Sequence, residues 1–251
     1  MTRTVGSRRP CATIALLVLT LLHRSAFPGD DVAEEQERAR VAASRIKREW
    51  PIAPAGPVTR FIRAVGDRLA HGAGPSRFPW RFTVIRDRSA NAFSIGAGRI
   101  YVNAGTPFVC RNEAELAAIL AHEMGHELAG HFRSTGHRDS VWTWLDDLVG
   151  TGTPRESDVA IGSVEQRLDP RKEGEADRIS ISILERAGYD PHAALSVAEL
   201  LAAGSGPHAR QLGAAERVRA LQELLATVPV GGRGDSEEFR RLRREAAPGT
   251  E

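Results

Sequence analysis

His122 and His126 constrain this chain more than any other pair of residues, because they stand four apart in the run His122-Glu123-Met124-Gly125-His126. An α-helix turns about 100° per residue, so side chains at i and i+4 share one face and two imidazoles there can grip one metal ion. Neutral imidazole suits zinc. Glu123 stands beside the first of these ligands, where its carboxylate can accept a proton from an attacking water. The pattern H-E-x-x-H therefore predicts a helix through these residues, one zinc ion per chain and hydrolysis of a peptide bond.

The flanking sequence supplies the helix. Asn112 followed three residues later by Glu115 reads as a capping-box start. Leu116, Ile119, Leu120 and Met124 then recur at helical spacing, and Gly130 is a stop signal. The expected helix runs from Asn112 to Ala129.

A catalytic zinc takes three protein ligands, so one more must come from elsewhere. A third histidine continuing the motif as H-E-x-x-H-x-x-G-x-x-H would need Gly at 129 and His at 132, where Ala129 and Phe132 stand. His131 is off by one and on a continued helix points away from His122, so it reads as a helix-end residue behind the ligands. The better candidate is Glu173. It lies four residues before Asp177 and shares a helical face with it, so a carboxylate ligand can be accompanied by a second carboxylate that accepts the N–H of a ligating histidine. Glu175 competes as a ligand, but it is two residues from Asp177 and nearly opposite on a helix. A solvated charged face is the plain alternative for this segment.

With these pieces in place, the chain resembles the M48 family of zinc metallopeptidases, which includes periplasmic quality-control proteases and prenyl-protein proteases. The resemblance runs from about Pro57 to Ala220. Asn91-Ala92-Phe93, the turn Gly96-Ala97-Gly98, the strand-like Arg99 to Asn103, Asn112 to Leu116 and His122 to His131 follow the family's order, and Glu173 to Asp177 is similar to its E-x-x-A-D signature. The resemblance implies that Glu173 is the third zinc ligand, with Asp177 behind it. It also implies that a histidine in a late loop, here His208, approaches the metal as a further donor, although its spacing to Arg217 is longer than the family's and a plain surface histidine in a Gly/Pro loop is the alternative. One departure is visible. Asp169 and Pro170 stand where the family commonly has Ser or Asn followed by Arg.

Around the motifs, Val32 to Trp50 reads as an amphipathic helix and Pro51 to Pro57 as a linker. Val58, Phe61, Ile62, Val65 and Leu69 give a second helix. Trp80 to Arg86 alternates as a half-buried strand does, and Ile100 to Val102 forms another β-like run. Further helices are expected over Pro170 to Ala187, His192 to Ala203 and Gly213 to Thr227, with a Gly-rich stretch from Gly150 to Gly162 and a loose polar tail from Gly231. Helices with a small sheet make an α+β domain, mainly helical and zincin-like. The strand near Ile100 is the expected edge to which a substrate chain could add by backbone pairing.

The 251 residues suffice for a leader and one core. Residues 1–26 carry Arg3, Arg8 and Arg9, then an apolar stretch from Ala12 to Leu22, as a secretory signal does. That stretch falls short of the roughly 20 residues that span a bilayer. Export is expected, with the leader either cleaved near Ala26 or kept as an anchor that associates the protein with the membrane. Residues 27–56 then form the N-terminal helix and linker, 57–230 the peptidase domain and 231–251 the tail. The net charge is only +2 with both signs interleaved, which excludes a basic strip and nucleic acid as partner. Protein or peptide substrates, unfolded ones included, are the expected partners. The other class the sequence allows is a chaperone or assembly factor whose zinc site a loop occludes.

Overall fold

The computed structural model describes residues 28–131, 169–203 and 214–245. His208, the leader and the Gly-rich stretch 150–162 lie outside the described residues. Helix α1 spans Pro28–Glu49 and α2 spans Pro57–Ala73. Three strands follow, β1 (Arg81–Ile85), β2 (Ala92–Ser94) and β3 (Arg99–Asn103). After the short α3 (Thr106–Val109) come α4 (Glu113–Leu128), α5 (Pro170–Arg186), α6 (Ala193–Ala203), α7 (Ala214–Leu225) and α8 (Glu237–Glu245). This is the α+β architecture expected, with helices predominating over one small sheet.

Strand order is β1-β3-β2, with β1 parallel and β2 antiparallel to β3. The expectation that the strand near Ile100 is the free edge is therefore corrected: β3 is paired on both sides and has no backbone groups to offer. The margin beside α4 is β2, a three-residue strand too short to show alternation in the sequence. A turn at Gly96-Ala97-Gly98 joins β2 to β3 with all three residues at positive φ, 90°, 53° and 69°. Two carboxylates hold that turn. Glu35 on α1 accepts the Ala97 N–H at 3.1 Å, and Glu127 on α4 accepts the Gly98 N–H at 3.2 Å and the Ser94 hydroxyl. The same contacts tie β2 to the end of α4.

Leu116, Leu120 and Met124 on α4 are fully buried against α2, α5 and the sheet, so the helix that carries the motif runs through the main core. Burying each such side chain stabilises the fold by roughly 1.5–3 kcal/mol. Asn112 caps α4 as expected, its side chain accepting the Glu115 N–H at 3.0 Å. The return half of the box is displaced by one residue, since Glu115 accepts from the Arg111 N–H at 2.6 Å. The tail also differs from expectation. Over 237–245 it forms α8, whose Phe239 and Leu242 are buried in the main core, so the polar stretch is anchored by two apolar residues one helical turn apart.

Candidate metal centre

Gly125, one of the two unspecified positions of the motif, decides how the site closes. A Cβ there would lie 2.5 Å from the Ala176 carbonyl oxygen and 3.0 Å from its Cα. Only glycine lets the backbones of α4 and α5 approach this closely. The approach brings the first two turns of α5 over the motif face of α4. Asp169 and Pro170, the departure from the family pattern, start α5 well: Asp169 accepts the Arg171 N–H at 3.0 Å and Pro170 occupies the first turn.

His122, His126 and Glu173 converge, each offering one donor atom within 4.8 Å of the others. The Nε2 atoms of the two histidines are 3.1 Å apart, His122 Nε2 is 3.3 Å from Glu173 Oε2, and His126 Nε2 is 3.4 Å from Glu173 Oε1. Tetrahedral zinc with ligands at about 2.0–2.1 Å separates donor atoms by about 3.3–3.4 Å. The triangle is therefore sized for zinc. Charge points the same way: with both imidazoles neutral, ionised Glu173 and Asp177 face the guanidinium of Arg217 and Glu123 adds a further negative charge when ionised, so net negative charge is left for a cation to balance.

Asp177 sits behind His122, its Oδ1 3.0 Å from His122 Nδ1. With Nε2 directed at the metal position, Nδ1 carries the proton and donates it to Asp177. Arg217 on α7 grips the same carboxylate bidentately, Nε to Oδ2 at 3.0 Å and Nη2 to Oδ1 at 2.8 Å, and its Nη1 is 3.4 Å from Glu173 Oε2. Burial pushes the Asp177 carboxyl up, but the Arg217 charge and the His122 hydrogen bond hold it well below the usual carboxylate range. Arg217 is a site residue to which the sequence reading gives no role of its own. Arg219 stands two positions on and is exposed, and nothing in the local pattern distinguishes the two.

Glu123 is buried, with Ser94 N–H donating to its Oε2 at 3.2 Å, which leaves Oε1 as the open oxygen. Burial raises its carboxyl to about 7, where a group both takes and returns protons near neutral pH. The paired imidazoles divide one proton. His122 is raised to about 9 because, against burial and Arg217, its hydrogen bonds to Asp177 and Glu173 prevail; burial and the His122 charge lower His126 to about 3. Metal-free protein at pH 7 is thus expected to hold one proton at the pair, and zinc uptake to expel about one. Because that proton competes only below about pH 9, zinc affinity should rise with pH toward that value. Calorimetric titration in two buffers of different ionisation enthalpy measures the release, and identical heats in both would contradict it.

Comparison with known protein families matches residues 58–147 to peptidase family M48. Over these residues the chain is similar to family M48. The match runs from α2 through α4, including the motif, and ends before α5. Similar proteins include the Escherichia coli O157:H7 beta-barrel assembly-enhancing protease, 24% identical over 204 residues, which cover 76% of this chain and 42% of that protein. The mitochondrial metalloendopeptidase OMA1 of Schizosaccharomyces pombe is 28% identical over 185 residues, covering 69% and 55%. That of Arabidopsis thaliana is 31% identical over 179 residues, covering 66% and 32%. The chain thus spans about half the length, or less, of these relatives.

Proposed function

We propose that this protein is a zinc-dependent endopeptidase, with His122, His126 and Glu173 as ligands and Glu123 as general base. The observation that carries this is the zinc-sized triangle of donor atoms with the half-raised carboxyl of Glu123 on the same helix. Bound there, zinc would supply a Lewis acid that polarises both water and the scissile carbonyl. Glu123 Oε1 takes the proton of the attacking water and passes it to the leaving amine, while Ser94 N–H fixes the other oxygen. Asp177 and Arg217 hold His122 in the tautomer that presents Nε2.

Substrate placement follows from β2. Asn103 N–H donates to Asn91 C=O and Ile95 N–H to Arg99 C=O, so residues 91, 93 and 95 face β3; on the other side Glu123 takes the Ser94 N–H, which leaves the backbone groups of Ala92 and the Ser94 C=O. An extended chain added there would be held independently of its sequence and would lie beside Glu123. Unfolded protein segments fit this mode. The secretory layout of the leader supports export, extracytoplasmic protein quality control and membrane association through the N-terminus. Among the described residues no helix is long and apolar enough to cross a membrane.

Purified full-length protein incubated with unfolded casein tests the proposal. Cleavage should disappear on chelation and return with added zinc. Cleavage that survives complete metal removal would overturn it.

A further inference from the structure

The second zinc ligand has a backing of its own, built from residues that the proposed mechanism does not use. His126 turns Nε2 toward His122 and Glu173, which leaves Nδ1 to carry its proton. That Nδ1 lies 2.8 Å from Nδ1 of His131, and His131 Nε2 lies 3.3 Å from Glu175 Oε2. A single direction of donation satisfies every atom: His126 Nδ1–H donates to His131 Nδ1, and His131 Nε2–H donates to the Glu175 carboxylate.

Helix termination explains why His131 reaches back. Gly130 adopts φ 72° after α4, its N–H bonds Glu127 C=O at 3.0 Å, and His131 N–H bonds His126 C=O at 3.1 Å. These paired bonds are the Schellman stop, in which the residue after the glycine packs on the residue three before the cap. That contact is usually apolar. Here it is imidazole on imidazole, with ring centroids 5.0 Å apart and the His131 side chain only 6% exposed. Helix α5 then supplies a third carboxylate. Glu173 faces both imidazoles, Asp177 faces His122, and Glu175, on a different face, meets His131.

We propose that His131 is a positioning residue that fixes the tautomer and ring orientation of His126 for zinc, with Glu175 orienting His131 in turn. The inference rests on the zinc reading above. Because the Glu175 side chain is 54% exposed, water screens its charge and its share is the smaller one.

Zinc affinity of the full chain, measured by competition with a chromophoric chelator, tests this together with the melting temperature of the metal-free forms. His131→Asn places an amide oxygen where Nδ1 accepts, whereas His131→Phe keeps the ring volume and offers no acceptor. With melting temperatures alike, the Phe variant should bind zinc about 10 to 100-fold more weakly than wild type, and the Asn variant within about threefold of it. Glu175→Ala should weaken binding by about threefold. A Phe variant as tight as wild type, or an Asn variant as weak as the Phe variant, overturns the positioning role and leaves the zinc assignment standing. If the Phe variant does not fold, Glu175→Ala decides, weaker binding supporting the role and unchanged binding overturning it. Wild-type protein that binds no zinc overturns both readings.

Discussion

Glu123→Gln is expected to bind zinc as wild type does and to cleave casein about 10² to 10⁴-fold more slowly. The amide keeps the size of the side chain and an oxygen that can still accept from Ser94 N–H, so the packing around α4 is undisturbed. No ligand is touched, since His122, His126 and Glu173 supply the donor triangle. What is lost is the only function an amide cannot replace, acceptance of a proton from water. Metal content and turnover should therefore separate in this variant. Turnover at the wild-type rate would assign the base to another residue.

Glu173→Ala is expected to lose zinc. Its two oxygens face both imidazoles, at 3.3 and 3.4 Å, and nothing else among the described residues completes a group of three donors. Burial pushes the Glu173 carboxyl up, yet the His122 hydrogen bond and the charges of His122 and Arg217 bring it down to about 2. It is thus ionised and ready to ligate at any working pH. Removing it also leaves Arg217 and protonated His122 facing each other with less compensation. Metal analysis after dialysis should show Glu173→Ala empty and Glu175→Ala still loaded, because Glu175 contacts His131 and not the donor triangle. The reverse order would exchange their roles.

Much of this arrangement was legible in the sequence because helical spacing converts directly into geometry. The i, i+4 histidines, the Asn112 cap and the Glu173/Asp177 pair each depend on one helix alone, and the structure places all of them on helices with nearly the expected limits. Features that depend on two elements were not legible. Strand order is one, since pairing of β3 on both sides arises from the path of β2 across the chain. Arg217 is another: its carboxylate partners Glu173 and Asp177 lie on α5, and its spacing on α7 resembles that of the exposed Arg219. His131 falls between the two cases. The glycine stop before it is readable, but its return to His126 follows from the left-handed turn at Gly130 and not from a continued helix. Buried Phe239 and Leu242 were hidden in a stretch of charge, where two apolar residues give too little periodicity to announce a helix.

The most direct measurement is a zinc titration of chelated, metal-free protein with casein cleavage as the readout. Cleavage should rise in proportion to zinc and level off at one ion per chain, while Glu123→Gln takes up the same single ion without gaining activity. Cleavage before any zinc is added, or a plateau reached with no zinc held by His122, His126 and Glu173, would contradict the account.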